Sequence, residues 1–199
     1  MAMVANRGWL FLLVGNSGSG KDTLIRAVAR HWHGSGPCLY TPRRYVTRPA
    51  HPSEPFIPVS PDDFRQLRAQ GGFFLEWMSY GIHYGLPADI AAYLERGAFV
   101  LANVSREVVA DARARHVDTR VVFIKVPFAV TAARMLRRGR EMPGQPGYRD
   151  RLERARQNPQ CPNADLVLSN EGDLEQTVKE LTTWIGSHAR VVAEPMLMD

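Results

Sequence analysis

The sequence predicts a three-layer α/β fold, in which amphipathic helices cover both faces of a central parallel sheet. Three observations carry that prediction. Continuously apolar runs alternate with helical segments along most of the chain, the pattern of strands buried on both faces. The first of these runs, Trp9 to Val14, leads straight into a glycine-rich stretch ending in Lys21, at the carboxyl edge where open parallel sheets bind ligands. The alternation is interrupted once, by residues 38–86, which reads as a substrate-binding insertion.

The elements follow in order. Strand 9–14 precedes a helix over 20–32, whose apolar face carries Leu24, Ile25, Val28 and Trp32. Gly34-Ser35-Gly36-Pro37 then breaks the chain, residues 38–47 read as extended and basic, and prolines at 49, 52, 55, 58 and 61 predict irregular backbone. Ser60-Pro61-Asp62-Asp63 starts a short helix with a capping serine, proline in the first turn and an acid three residues on. Gly71-Gly72 end it, and short strands follow at 73–77 and 82–84, with Gly81 and Gly85 expected to turn the chain. A helix at 87–96, a strand at 98–104, a helix at 105–115, a strand at 120–126 and a helix at 128–137 restore the alternation. Residues 139–147, rich in Gly and Pro, read as a loop; helix 148–157, strand 165–168 and helix 173–187 complete the chain. Leu174, Val178, Leu181 and Ile185 keep one face of the last helix apolar.

Composition bounds the possibilities. With 199 residues, 45% of them hydrophobic, the chain can bury a core of its own. It reads as a single domain over 1–190: a core of 8–37, 98–136 and 151–188, a substrate-binding region at 38–97 and a lid at 137–150, with a disordered tail at 191–199. Lys and Arg number 25 against 20 Asp and Glu, a net charge of +5, which suits phosphorylated small molecules and nucleic acid alike. Arginine far outnumbers lysine and clusters at Arg43, Arg44 and Arg48, and again at Arg134, Arg137, Arg138, Arg140, Arg149 and Arg151. Such forks favour bidentate phosphate recognition. Arg154 and Arg156 read as a solvated helix face. The basic groups lack interleaved aromatics, which argues against nucleic acid. Cys38 and Cys161 lie far apart without metal-ligand spacing and read as reduced thiols. His51, His83 and His116 show no metal spacing either. MAMVANRG is too short for a signal peptide and residues 9–14 too few to span a bilayer; a cytoplasmic protein without membrane contact is expected.

The glycine-rich stretch is Gly15-x4-Gly20-Lys21, a phosphate-binding loop. The backbone N–H groups of Gly15, Asn16, Ser17, Gly18, Ser19 and Gly20 can converge on phosphate oxygens, and the following helix adds its dipole. Lys21 adds a full charge for the β- and γ-phosphates of a nucleoside triphosphate. Asp22 stands where Ser or Thr normally supplies a magnesium ligand. Two readings of Asp22 stay open: an oxygen ligand for Mg²⁺, directly or through water, or an acid favouring the helix dipole. Thr23 is a second candidate, but one residue further on a helix turns its side chain about 100° away.

Further motifs follow in order: YVTRP, VSPDDF, GGFFLEW, His83-Tyr84-Gly85, LRRGR and RLERA. With the loop, they resemble the guanylate kinase family from residue 9 to 187. The resemblance implies ATP as donor, Mg²⁺ as cofactor, and Lys21, Arg138 and Arg151 as catalytic cations. It assigns the loop from Gly15 to Thr23, with Arg138 and Arg140, to ATP, the lid closing over it. Arg48 and Tyr84 would hold the acceptor's phosphate.

Departures from the family's guanine-reading pattern point to a different acceptor. Glu76 remains, but Leu86 stands where a Ser or Thr reads the base, and Ser105 where an Asp does. A purine edge left unpaired is disfavoured. Phe56 replaces a phosphate-binding Tyr, while Arg44, beside Arg43, replaces a phosphate-binding Ser. Together with Gly20-Lys21-Asp22, Asn103-Val104-Ser105 and the run Arg138 to Glu141, these changes resemble the branch of the family that acts in phosphonate breakdown. That branch phosphorylates the 1-phosphate of ribose 1,5-bisphosphate, giving 5-phosphoribosyl 1-diphosphate and ADP. The resemblance makes Arg43, Arg44, Arg48, Glu76, Tyr84, Asn103 and Ser105 the sugar-bisphosphate site, with Asp22 the candidate metal ligand. Glu76 keeps two readings, a hydrogen bond to ribose hydroxyls or a structural partner for a nearby arginine. Guanylate or another nucleoside monophosphate remains an alternative acceptor, and a non-catalytic binding module a further one. The oligomeric state is open, a homodimer included.

Overall fold

A computed structural model describes residues 7–32, 36–50, 54–138, 146–157 and 160–189. In chain order the first elements are β1 (Leu10–Val14), α1 (Lys21–His31), β2 (Leu39–Tyr40), β3 (Arg44–Val46) and β4 (Phe56–Pro58). They are followed by α2 (Pro61–Ala69), β5 (Phe73–Ser79), β6 (Ile82–Pro87), α3 (Ile90–Glu95) and β7 (Phe99–Asn103). A 3₁₀ turn (Arg106–Val108) then leads into α4 (Val109–Arg115), β8 (Thr119–Lys125), α5 (Phe128–Arg138), α6 (Pro146–Arg156), β9 (Leu166–Ser169) and α7 (Leu174–Gly186).

The central sheet has the order β2-β7-β1-β8-β9, and every neighbouring pair is parallel. Its strands are buried on both faces, so successive side chains enter different cores. Leu10, Leu12 and Val14 pack with Val100, Ala102, Val121 and Phe123 on one face. Phe11 and Leu13 pack on the other with Leu24 and Val28 of α1 and Val178, Leu181 and Ile185 of α7. The apolar spacing seen in the sequence is therefore the sheet-facing stripe of both helices. On the first face Leu75, Leu86, Ile90 and Leu94 join the core, tying a second sheet and α3 to the central one.

That second sheet has the order β4-β3-β6-β5. The extended stretch 38–47 is divided between the two: Leu39–Tyr40 pairs with β7, and Arg44–Val46 pairs with β4 and β6. Part of the proline-rich stretch departs from its expected irregularity, since Phe56–Pro58 forms the edge strand β4. An edge position tolerates proline's missing donor. Ser60 caps α2 as its sequence predicts, accepting from the Asp63 backbone N–H at 3.0 Å.

The hairpin between β5 and β6 closes tightly, with Ser79 opposite Ile82. Its two turn residues, Tyr80 (φ 52°) and Gly81 (φ 70°), both have positive φ, the signature of a type I′ turn. Holding a tyrosine there costs about 1 kcal/mol or more. Gly85 does not turn the chain. It lies within β6, where an added Cβ would come within 2.5 Å of Phe73 Cδ1. Among the described residues, no helix is long and apolar enough to cross a membrane.

Candidate active site

The phosphate loop leaves the carboxyl end of β1 and is braced from beneath. Asn170, just past β9 and only 4% exposed, donates from Nδ2 to the Ser19 carbonyl at 2.8 Å. Gly20 adopts φ +89°, and a Cβ there would lie 2.4 Å from that same Nδ2. Glycine is thus required both by conformation and by space. Lys21 folds over the loop, donating to the carbonyls of Gly15 (2.8 Å) and Asn16 (2.9 Å) and to Ser19 Oγ (3.3 Å). These bonds hold its ammonium group at the loop that would wrap a polyphosphate.

Asp22 reaches from the first turn of α1 across to the second sheet. Its carboxylate accepts from Arg44 Nη2 at 3.2 Å and from Asn103 Nδ2 at 2.8 Å. The Asp22 and Arg44 side chains are 17% and 14% exposed, so this charged pair is largely shielded from water. Arg44 comes from β3 and Asn103 from the carboxyl end of β7, so three separate segments meet at one carboxylate.

The remaining groups that the resemblance assigns to the acceptor are arranged on and beside the second sheet. Tyr84 stacks on Trp77 with ring centroids 5.4 Å apart and 7° between planes, and Arg44 Cζ lies 6.0 Å from the Tyr84 ring centre. Arg48 pairs with Glu54 and lays its guanidinium over the Phe56 ring at 4.6 Å. Phe56, without the hydroxyl of the usual tyrosine, thus supports Arg48 through its ring face.

Lys21, Asp22, Arg44, Arg48, Tyr84, Asn103, Ser105 and Arg151 all line a single cavity, together with Gly15, Asn16, Ser17, Gly18 and Gly20. Ser19 is buried beside them. Thr23 faces a neighbouring cavity with Arg134, Arg137 and Asn170, and Gly18 and Gly20 belong to both cavities. Ser105 caps the 3₁₀ turn, its Oγ 3.5 Å from the Glu107 backbone nitrogen. Arg43 and Glu76 are not among the residues lining either cavity. Arg43 donates to the Phe56 carbonyl at 2.8 Å, and Glu76 pairs with Arg68 at 2.7 Å on an exposed face. Leu86 is fully buried in the core. Arg138 ends α5; its side chain, Arg140 and lid residues 139–145 lie outside the described residues.

Further residues that the sequence did not assign to the site also line the main cavity, Glu54, Tyr80, Arg106 and Arg154 among them. Arg106 donates to Asn16 Oδ1 at 2.5 Å and lies over the Phe123 ring. Burial, followed by the nearby charge of Arg154, pushes its guanidinium pKa down from the ordinary value. Arg154 belongs to the cavity and pairs with Glu107 at 3.2 Å, contrary to its reading as part of a solvated face. The missed signal is spacing: Arg154 lies three residues after Arg151 on α6, hence on the same side of the helix. Among the described residues, no cluster of three or more His, Cys, Asp or Glu could hold a metal by itself.

Comparison with known proteins shows the family and the shared fold. Residues 8–188 match the guanylate kinase family. The chain is similar to ribose 1,5-bisphosphate phosphokinase PhnN of Rhodopseudomonas palustris, 42% identical over 166 residues that cover 83% of this chain and 82% of that one. It is also similar to the protein of the same name from Acidiphilium cryptum, 44% identical over 164 residues, covering 82% and 84% of the two chains. The crystal structure of guanylate kinase from Anaplasma phagocytophilum superposes with a TM-score of 0.68 over 94% of this chain and 89% of that one, at 18% identity, which shows a shared fold. The chain belongs to the guanylate kinase family, in its ribose 1,5-bisphosphate phosphokinase branch.

Proposed function

We propose that the protein transfers the γ-phosphoryl group of ATP to the 1-phosphate of ribose 1,5-bisphosphate, giving 5-phosphoribosyl 1-diphosphate and ADP. The observation that carries this reading is the joining of the phosphate loop to an arginine-bearing acceptor wall through Asp22 and Arg44. Groups that would read a guanine edge are missing from that wall: Leu86 is in the core, and Ser105 carries no carboxylate. The relatives' activity, at 42–44% identity over four-fifths of the chain, supports the same acceptor.

In this reaction an oxygen of the acceptor 1-phosphate attacks Pγ, a new P–O bond forms, and the bond from Pγ to the bridging oxygen breaks with its electrons leaving on ADP. The attacking oxygen is already ionised at neutral pH, so no general base is needed. Catalysis consists of alignment and charge stabilisation. Lys21 takes the donor phosphates. Arg48 and Tyr84 orient the attacking phosphate, and Arg44 holds the distal one. Arg151, with Arg154 and Arg106 on the same cavity wall, places positive charge around the transferring group. The neighbouring cavity beyond Gly18 and Gly20 suits the nucleoside end of ATP.

Magnesium fits this donor set. A kinase Mg²⁺ needs only one or two protein carboxylates beside the substrate's phosphates, and the Asp22 carboxylate lines the same cavity as the phosphate loop, an oxygen donor of the kind a hard cation takes. Bound there, Mg²⁺ would neutralise charge on the β- and γ-phosphates.

Phosphorus NMR of the product tests the proposal. A new pair of coupled diphosphate resonances on the sugar should appear at the expense of the 1-phosphate. Consumption of ATP without that pair contradicts it.

A further inference from the structure

Tyr80 stands out from the rest of the cavity. Among the described residues it is the one non-glycine with positive φ, and it occupies a turn position that Asn, Asp or Gly fills without strain. The turn itself gives no reason for a tyrosine. Its neighbours do. The ring extends from the tip of the second sheet to α6, where the Arg151 guanidinium carbon lies 5.1 Å from the ring centre. Arg151 is only 4% exposed. The charge of Arg154 is near enough to the Tyr80 phenol to work against the burial that raises its pKa, and all three residues line the main cavity.

We infer that Tyr80 is a positioning residue, which holds Arg151, and with it Arg154, against the reacting phosphates. The choice of an aromatic ring has a physical reason. A carboxylate at this point would pair with the guanidinium and cancel charge that the transferring group requires. A ring face attracts the cation without adding negative charge of its own. Tyr80 thereby couples the second sheet, which carries Arg44 and Tyr84, to the helix that carries Arg151. Burial raises the Tyr80 phenol above its ordinary pKa, so it stays neutral through the physiological range. This inference rests on the proposed role of Arg151 in phosphoryl transfer.

The test compares Tyr80→Asn, Tyr80→Phe, Arg151→Ala and the double variant Tyr80→Asn/Arg151→Ala, measuring kcat, both KM values and Tm. Asn-Gly suits the type I′ turn, so Tyr80→Asn should keep or raise Tm while kcat falls roughly tenfold, the scale of a lost shielded cation–π contact. Tyr80→Phe keeps the ring and should restore kcat to within about threefold of the wild type. The double variant should be no slower than Arg151→Ala. Wild-type kcat in Tyr80→Asn, equal losses in Tyr80→Asn and Tyr80→Phe, or additive losses in the double variant would overturn the inference. So would a lowered Tm in Tyr80→Asn with proportionate loss toward both substrates, the mark of a structural residue. If Arg151→Ala is impaired and Tyr80→Asn is not, this inference fails alone; wild-type kcat in Arg151→Ala removes the role of Arg151 and this inference with it.

Discussion

The Asp22 carboxylate and the Arg44 guanidinium are joined at 3.2 Å, across the boundary between the phosphate loop and the second sheet. This contact gives the loop's departure from Ser or Thr a purpose apart from metal binding. In the proposed reaction the same carboxylate would stand beside the donor phosphates and orient a cation for the acceptor; Asn103 donates to it from β7 at 2.8 Å.

Asp22→Ala should therefore raise KM for the sugar bisphosphate more than KM for ATP. Arg44→Ala should do the same, and the double variant should be little worse than either. Losing a shielded charge-assisted hydrogen bond costs about 1.5–3 kcal/mol, or roughly ten- to a hundredfold in KM. Additive effects in this double-mutant cycle would mean that the two residues act separately. An unchanged sugar KM in Arg44→Ala would remove Arg44 from the distal phosphate.

Lys21→Met should lower kcat by about 10²–10³, the usual effect of removing one preorganised charge stabiliser. The loop should keep its shape, because Asn170 braces it independently through the Ser19 carbonyl. Steady-state kinetics should show this loss of kcat, together with a lowered Tm from the three hydrogen bonds removed.

What was legible in the sequence was mostly local. The glycine spacing, the lysine after it and the helix behind it lie within nine residues (15–23), so the donor loop could be read directly. The alternating apolar runs gave the parallel sheet because burial on both faces leaves that pattern. The Asp22–Arg44–Asn103 meeting point could not be read this way, since its members are 22 and 81 residues from Asp22 and converge only through sheet order. Tyr80 was hidden by weak turn chemistry: Tyr-Gly is a poor type I′ signal beside Asn-Gly. Arg43 and Glu76 carry the right chemistry on a strand neighbourhood whose pleat and pairing direct them to Phe56 and Arg68. Sequence spacing alone does not reveal which face a residue takes when a short strand's register is unknown.

Alkaline pH should destabilise the fold through Tyr40. Its hydroxyl donates to Asp89 at 2.9 Å, and burial, then this hydrogen bond, raises its pKa above the ordinary value of 10.0. The folded-state pKa lies above the unfolded one, so the phenol's contribution is complete below about pH 10 and is lost as pH rises through the folded value. Tm measured from pH 9 to 11 should fall above pH 10 in the wild type, and less steeply in Tyr40→Phe. Parallel curves would count against the assignment.

In the proposed reaction this phosphate loop serves a sugar bisphosphate acceptor. The direct measurement is kcat/KM from ADP release with ATP and either ribose 1,5-bisphosphate or GMP, on the same preparation. The expected result is turnover of the sugar bisphosphate with at least about a hundredfold preference over GMP, the scale set when a base's polar edge finds no partners. Comparable or better turnover of GMP would contradict it.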